Sequence, residues 1–248
     1  MPKISDLKIK IFADGADFDS ILRLYANPLI KGFTTNPTLM RKAGIFDYEA
    51  FGRRILSAIP DRPISLEVFA DEFDEMEKQA RVIAGWGRNV NVKIPVTNTK
   101  GVFSGEVIRR LSSEGISLNV TAVFTLDQVS RIVEVLDPRT PSIVSVFAGR
   151  IADTGVDPEP LMKNALEIVR SRPKAELLWA SPRELLNVFH ADRCGTHIIT
   201  VTHDLLSKLS NVGYDLNSFS LDTVKMFYTD ATASQFSIEG KHQSTIRV

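Results

Sequence analysis

The chain has 248 residues, of which 44% are hydrophobic and 24% charged, and 30 basic side chains balance 30 acidic ones. This composition is typical of a soluble globular protein and argues against disorder. Without a basic excess, neither nucleic acid nor an anionic membrane is expected as a partner. The single cysteine, Cys194, excludes an internal disulfide and favours a cytoplasmic protein. No signal core is found, and no apolar run reaches the roughly 18 residues that cross a bilayer, so neither export nor membrane insertion is expected.

Short β-rich runs recur about every 20 to 30 residues, each followed by a helix-patterned stretch, which is typical of repeated βα units around a parallel sheet. The predicted strands span residues 9–14, 30–36, 64–69, 90–96, 117–123, 142–149, 176–181 and 197–201. Apolar residues at i, i+3, i+4 spacing predict helices over residues 71–86, 126–135, 158–171 and 182–190. Asp157-Pro158 and Ser181-Pro182 are typical helix starts, with a capping side chain before proline.

Eight such units predict an α/β fold, a single (β/α)8 TIM barrel with a C-terminal helical extension. No linker or composition shift divides the chain, so residues 1–248 are predicted to form one domain, with 218–248 as a C-terminal helix and tail. Residues 218–233 have the pattern of the helix, and residues 239–248 that of a loose tail. Such appendages often pack on a neighbouring subunit, so the final helix is a candidate interface.

The most informative residue is Lys93, which lies within an apolar strand where side-chain alternation carries its amine inward. Lysine is rarely fully buried, and desolvation favours the neutral amine, which can attack a carbonyl and form a Schiff base. Two alternatives stay open from this segment alone. The lysine could pair with a carboxylate, or it could reach water from a strand edge.

Polar residues cluster where the predicted strands end, which in a closed barrel is the mouth that carries the chemistry. Seven consecutive strands end in Asp14, Thr34-Thr35-Asn36, Glu67, Lys93, Asn119 with Thr121, Ser145 with Phe147 and Arg150, and Ser181 with Arg183. A packed barrel core would not need these polar groups. The pattern therefore predicts a polar site at one end of the barrel.

Each group also has a purely structural alternative. Asp14 and Glu67 could transfer protons or pair with Lys93. Thr34 to Pro37 could be a plain turn with a helix cap, and Asn119 and Thr121 a hydrogen-bonded inner layer. The arginines could bind a phosphate together or simply lie in solvent.

Four motifs in this order make the chain similar to the transaldolase family over residues 8–204. They are GFTTNPTL (32–39), VKIPVT (92–97), LNVT (118–121) and SVFAGRI (145–151). The resemblance implies a (β/α)8 barrel and a class I Schiff-base mechanism with no metal and no cofactor. It also implies sugar phosphate substrates and a transfer of a dihydroxyacetone unit from fructose 6-phosphate to erythrose 4-phosphate. The resemblance further suggests a homo-oligomer.

The resemblance also implies a role for each matching position. Lys93 would be the Schiff-base lysine and Asp14 the acid/base residue, while Glu67 and Thr121 would hold a proton-shuttling water. The implied substrate-binding residues are Asn36 and Asn119 for donor hydroxyls, Arg150, Ser181 and Arg183 for the phosphate, and Ser145, Thr35 and Phe147 nearby. Departures from the family pattern include Gly15, where members usually have threonine, and Pro182. These departures bear on substrate choice more than on the chemistry.

Related fructose-6-phosphate aldolases release dihydroxyacetone instead of transferring it. They have a glutamine where this chain has Glu67 and a tyrosine where it has Phe147. A tyrosine hydroxyl could protonate the carbanionic intermediate and free the product, and a phenylalanine ring cannot. Transfer is therefore favoured; the alternatives are a lyase of that kind or a transaldolase that acts on a modified sugar. A regulatory barrel that binds a sugar phosphate without turnover is a weaker alternative, because it would have no use for an inward lysine beside two carboxylates. A metal enzyme is weaker still, because the four histidines lack ligand spacing.

Overall fold

A computed structural model describes residues 3–234 of the chain. Two compact units are found, one spanning Ser5–Leu209 and the other made of the two ends of the chain. In the first unit, eight parallel strands close into a barrel in sequence order. The strands are β1 (Lys10–Asp14), β2 (Ile30–Thr34), β3 (Ile64–Glu67), β4 (Val90–Pro95), β5 (Leu118–Val123), β6 (Ser142–Val146), β7 (Ala175–Trp179) and β8 (Ile198–Thr202).

Helices follow the strands in the alternation that a (β/α)8 barrel requires, so the predicted fold class is confirmed. The helices of the barrel unit are α1 (Phe18–Tyr25), α2 (Pro37–Lys42), α3 (Tyr48–Ala58), α4 (Phe73–Ala84), α5 (Gly105–Ser113), α6 (Leu126–Val135), α7 (Ala148–Ala152), α8 (Pro158–Val169), α9 (Leu186–Arg193) and α10 (His203–Leu206). In the second unit, α11 (Leu216–Ser234) is the predicted C-terminal helix. The predicted tail, residues 239–248, lies outside the described residues.

The strands are buried because helices cover their outer face while side chains fill the barrel interior. All five residues of β6 are buried, which is typical of a parallel strand with both faces covered. Phe12, Ile143 and Leu178 are among the residues of one apolar cluster within the barrel unit, and the ring of Phe147 packs against it. Among the described residues, no helix is long and apolar enough to span a membrane.

Capping side chains fix where several helices begin. Asp157 accepts a hydrogen bond from the backbone of Glu159, and Pro158 occupies the first turn of α8, as its sequence predicts. Thr125 and Gln128 form a reciprocal capping box at the start of α6, whose bounds equal the predicted 126–135.

Several predicted boundaries are wrong, and two of the differences lie at the rim of the cavity. The sixth strand was expected to continue to residue 149, but it ends at Val146, and α7 begins at Ala148. The helix expected from Pro182 begins only at Leu186; Ser181 has a left-handed φ of 62°, whereas the residue that caps a helix start typically has an extended backbone. The side chain of Asn187 accepts hydrogen bonds from the backbone of Arg183 and Glu184 and satisfies that turn.

Candidate active site

Lys93 lies inside the barrel, level with polar residues of both neighbouring strands. Its register partners are Glu67 of β3 and Asn119 of β5, and in-register side chains of parallel strands face the same side. The Nζ atom lies 3.2 Å from a carboxylate oxygen of Glu67 and donates a 2.8 Å hydrogen bond to the carbonyl of Thr35. The side chain is 9% exposed and lines the cavity at the barrel mouth. An inward amine and a carboxylate partner, which the sequence offers as alternatives, are therefore both present.

Asp14 lies at the end of β1 and is held by a threonine pair. The Thr34 hydroxyl donates to Oδ1 of Asp14 at 2.7 Å and also contacts the Thr200 hydroxyl. Because the single hydroxyl proton of Thr34 is donated to Asp14, the Thr200 hydroxyl must be the donor in the second contact. Burial raises the pKa of Asp14, opposed by the charge of Lys93 and by the bond from Thr34. The carboxyl therefore exchanges its proton closer to neutral pH than a free aspartate does.

Asn119 is fixed by two serines in a buried chain of hydrogen bonds. The Ser145 hydroxyl donates to Oδ1 of Asn119 at 2.6 Å, and Nδ2 of Asn119 donates to the Ser65 hydroxyl at 3.0 Å. All three residues are buried. The hydrogen-bonded inner layer offered as an alternative is therefore present, and it orients an amide that also lines the cavity.

The end of β2 combines a helix cap with a wall of the cavity. Asn36 accepts a hydrogen bond from the backbone of Leu39, so the turn and cap reading of this motif is also realised. Thr35 faces away from the cavity, and its hydroxyl donates to the carbonyl of Ser65 at 3.3 Å. Its backbone carbonyl, which accepts from Lys93, is the part of Thr35 that reaches the site.

Two arginines follow β6 and β7 at the rim of the cavity, in different settings. The guanidinium of Arg150 lies 5.2 Å from the ring centre of Phe147. Arg183 directs Nε to the carboxylate of Asp153 at 2.8 and 3.0 Å and donates Nη1 to the Ser181 hydroxyl at 3.0 Å. These bonds from Arg183 hold the pKa of Asp153 below its usual value. The joint binding of one anion by both arginines stays a prediction, since one edge of Arg183 already has a partner.

The loops that carry this rim are tightly packed and locally strained. A Cβ built on Gly149 would lie 1.5 Å from the carbonyl oxygen of Ser181, so only glycine fits there. Ser181 and Ala122 have φ values of 62° and 61°, and within residues 3–234 no other residue besides glycine has a positive φ. Both line the cavity. Such conformations cost about 1–3 kcal/mol each and concentrate at functional sites.

The cavity has a volume of about 550 Å³ and is lined by eleven of the twelve predicted site residues, all except Thr35. These are Asp14, Asn36, Glu67, Lys93, Asn119, Thr121, Ser145, Phe147, Arg150, Ser181 and Arg183. Lining residues absent from the predicted set include Thr34, Lys42, Ala122, Thr200 and Thr202. Within the described part of the chain, no three or more His, Cys, Asp or Glu side chains are grouped as metal ligands.

Fold and site together define a (β/α)8 barrel enzyme with a lysine at the centre of its C-terminal mouth. Residues 11–244 match the sequence model of the family described as Transaldolase/Fructose-6-phosphate aldolase. Curated relatives include "Probable transaldolase" from Dehalococcoides mccartyi, 35% identical over 202 residues, which cover 81% of this chain and 90% of that protein. Another "Probable transaldolase", from Methanococcus maripaludis, is 34% identical over 204 residues, or 82% of this chain and 90% of that protein.

The chain belongs to the transaldolase/fructose-6-phosphate aldolase family. It is an enzyme of this type, as its motifs indicate. Among solved structures, a dihydrodipicolinate synthase from Rhodopseudomonas palustris matches with a TM-score of 0.54 and 15% identity, covering 93% of this chain and 81% of the other. At that identity the match supports the barrel fold alone.

Proposed function

We propose that the enzyme transfers a dihydroxyacetone unit from a ketose phosphate of the fructose 6-phosphate type to an aldose phosphate of the erythrose 4-phosphate type. The transfer runs through a Schiff base on Lys93. The observation that carries this proposal is the inward amine of Lys93, which faces an open cavity and has the Glu67 carboxylate 3.2 Å away. A carboxylate at that distance can accept a proton from the nitrogen as it attacks the carbonyl carbon.

The first half of the reaction breaks a carbon–carbon bond. The amine of Lys93 attacks C2 of the ketose, and loss of water gives a protonated imine. Asp14 then takes the proton of the C4 hydroxyl, the C3–C4 bond breaks, and its electron pair moves into the imine to form an enamine while an aldose phosphate leaves. The burial that raises the pKa of Asp14 suits a group that accepts and later returns this proton.

In the second half, the enamine carbon attacks the carbonyl carbon of the acceptor aldose, and Asp14 returns its proton to the new hydroxyl. Water then hydrolyses the imine and releases the product ketose. Glu67 and Thr121, both on the cavity wall, hold the water that moves protons at the imine. Phe147 has no hydroxyl that could protonate the enamine, which favours transfer over release of dihydroxyacetone.

The remaining cavity residues bind the substrate. Asn36 and Asn119 bind hydroxyl groups of the donor, and Ser145 lies beside them through its bond to Asn119. The phosphate group of the substrate binds at the rim of the cavity, to Arg150, Ser181 and Arg183. Thr35 contributes through its carbonyl, which anchors Lys93.

Outside the site, we propose a cytoplasmic enzyme of the pentose phosphate pathway, with one barrel domain and α11 as an extension.

The subunits associate as a homo-oligomer. Support comes from α11, which exposes seven large apolar side chains: Leu216, Phe219, Leu221, Val224, Met226, Phe227 and Tyr228. Exposed apolar side chains in this number favour a protein partner over solvent. Light scattering on a variant with Phe219 and Phe227 changed to serine tests this, and an unchanged mass would contradict it.

Borohydride trapping tests the chemistry. Wild-type enzyme treated with fructose 6-phosphate and borohydride is expected to carry a reduced three-carbon adduct on Lys93, found by peptide mass spectrometry. Lys93→Met should carry no adduct, whereas Lys78→Met, a surface lysine paired with Glu75, should trap like the wild type. An active wild-type preparation with unmodified Lys93 would contradict the proposal. Free dihydroxyacetone that accumulates equally with and without an acceptor aldehyde would identify the lyase instead.

A further inference from the structure

The space beside Asp14 that a side chain at position 15 would need is occupied by the ring of His203. A Cβ built on Gly15 would lie 2.8 Å from Nε2 of His203 and 3.2 Å from Cε1. Asp14 is the register partner of Thr202, so His203 follows β8 at the level where the Asp14 carboxylate ends β1. The glycine that departs from the family pattern is therefore matched by a histidine packed directly against it.

The ring of His203 carries a polar atom at a cost to stability. Its Nε2 atom is buried and has no hydrogen-bond partner among residues 3–234, an arrangement that costs about 1–3 kcal/mol. An apolar ring would fill the same space without that penalty. A buried polar atom without a partner calls for an explanation, and a titratable group beside a proton-transferring residue supplies one.

The charges around the ring come from two packed elements and from its own helix. Asp14 of β1 and Asp17, the N-cap of α1, favour the protonated ring together with Asp204, while Arg23 of α1 opposes it. Burial outweighs these carboxylates and lowers the pKa of His203 below its usual value. The ring is therefore neutral at pH 7. Protonation would place a positive charge beside Asp14 and favour the ionised form of that carboxyl.

We propose that His203 is a positioning residue for Asp14, one that packs against the Asp14–Gly15 turn and couples its own ionisation to that of the carboxylate. The inference rests on the proposed function, which gives Asp14 the C4 proton. Coupling between two sites is reciprocal, so each group must shift the titration of the other. Loss of the histidine therefore lets Asp14 become protonated at a higher pH.

The acid side of the pH–rate profile tests this coupling. In His203→Phe, which keeps a ring but cannot titrate, the pH at which kcat falls on the acid side is expected to rise by at least about half a pH unit. On that side of the profile the rate would be about threefold lower than in the wild type. His190→Phe, a histidine of α9 near Glu159, is the matched control and should keep the wild-type limb. His203→Ala is expected to lower kcat more than it changes KM, and free imidazole should restore part of the loss. A wild-type acid limb in His203→Phe would overturn the coupling.

A titration by NMR gives a second test that does not depend on turnover. The His203 ring signal, assigned by its absence in His203→Phe, is expected to titrate at a lower pH in Asp14→Asn than in the wild type, since a carboxylate that favours the protonated ring is gone. An unchanged titration would overturn the proposal. Borohydride trapping on the wild type separates the two hypotheses: a missing adduct on Lys93 refutes the Schiff-base function, whereas a retained adduct with an unshifted histidine refutes only the coupling.

Discussion

Gly149→Ala is the substitution whose effect follows most directly from the atomic positions at the cavity rim. The new Cβ would lie 1.5 Å from the carbonyl oxygen of Ser181, so that carbonyl must retreat by about 1.8 Å to reach the ~3.3 Å of a close carbon–oxygen contact. Crowding of this kind costs about 1–3 kcal/mol. The backbone hydrogen bond from Gly149 to Ala180, 3.2 Å long, is expected to break, at about 1 kcal/mol.

The expected loss of stability is therefore about 2–4 kcal/mol, which lowers Tm by roughly 4 to 16 °C for a chain of this size. Calorimetry measures this directly. Because the retreating loop carries Ser181 and Arg183, the rim of the site moves with it. A misplacement of about 1 Å can cost about 100-fold in rate, so kcat/KM with a six-carbon ketose phosphate is expected to fall by about that factor.

A short substrate and a second glycine separate the causes. Dihydroxyacetone does not extend to the rim, so borohydride should still trap it on Lys93 in Gly149→Ala. Gly155→Ala is the control for backbone strain, since Gly155 has a φ of 83° and no atom of the described residues lies within 4 Å of where its Cβ would be. It should cost about 1 kcal/mol and leave kcat/KM unchanged. A Gly149→Ala enzyme with the Tm and the kcat/KM of the wild type would refute the reasoning.

Three other outcomes are expected. Burial raises the pKa of Asp14 above the 3.8 of an ordinary aspartate, so the folded state loses stability as pH rises through that pKa. The Tm of Asp14→Asn should therefore be higher than that of the wild type at pH 7, and calorimetry at pH 3 should find no such difference. An equal difference in Tm at both pH values would contradict this. Ala122→Gly removes a left-handed alanine and should raise the free energy of unfolding by about 1 kcal/mol in urea titrations; a lower value would mean that φ is not strained. Burial raises the pKa of Cys194 to about 11, so iodoacetamide should modify the folded protein far more slowly than the unfolded chain at pH 8, and equal rates would argue against a buried thiol.

The barrel and the inward orientation of Lys93 could be predicted because both depend on local periodicity. Alternation along a strand decides which side chains face inward, and it identifies Lys93 correctly without any knowledge of neighbouring strands. The same rule, applied to the end of β2, places Thr34 and Asn36 on one face and Thr35 on the other, which separates Thr35 from the Asn36 of the predicted set. Position in a family motif, not geometry, brought Thr35 into the predicted set.

Partners from other strands could not be predicted, because register in a barrel is a property of the closed sheet. Nothing in the sequence says that Thr200 contacts Thr34, or that Ser65 holds Asn119. Alternation offers a partial signal, since Ser65 lies two residues before Glu67 and Thr200 two before Thr202. The pairing of His203 with Gly15 has no local signal, because a missing side chain gives no hint of what fills its place.

The shared level of Glu67, Lys93 and Asn119 on three adjacent strands has a consequence for how such an enzyme can diversify. The backbone ladder, not the surrounding loops, sets the height of the amine. Loops at the rim can therefore be exchanged through mutation, and new sugars accepted, while the bond-breaking apparatus keeps its alignment. Selection on substrate and selection on chemistry then act on separate parts of one scaffold, so a chain can change its substrate specificity while it keeps its catalytic mechanism.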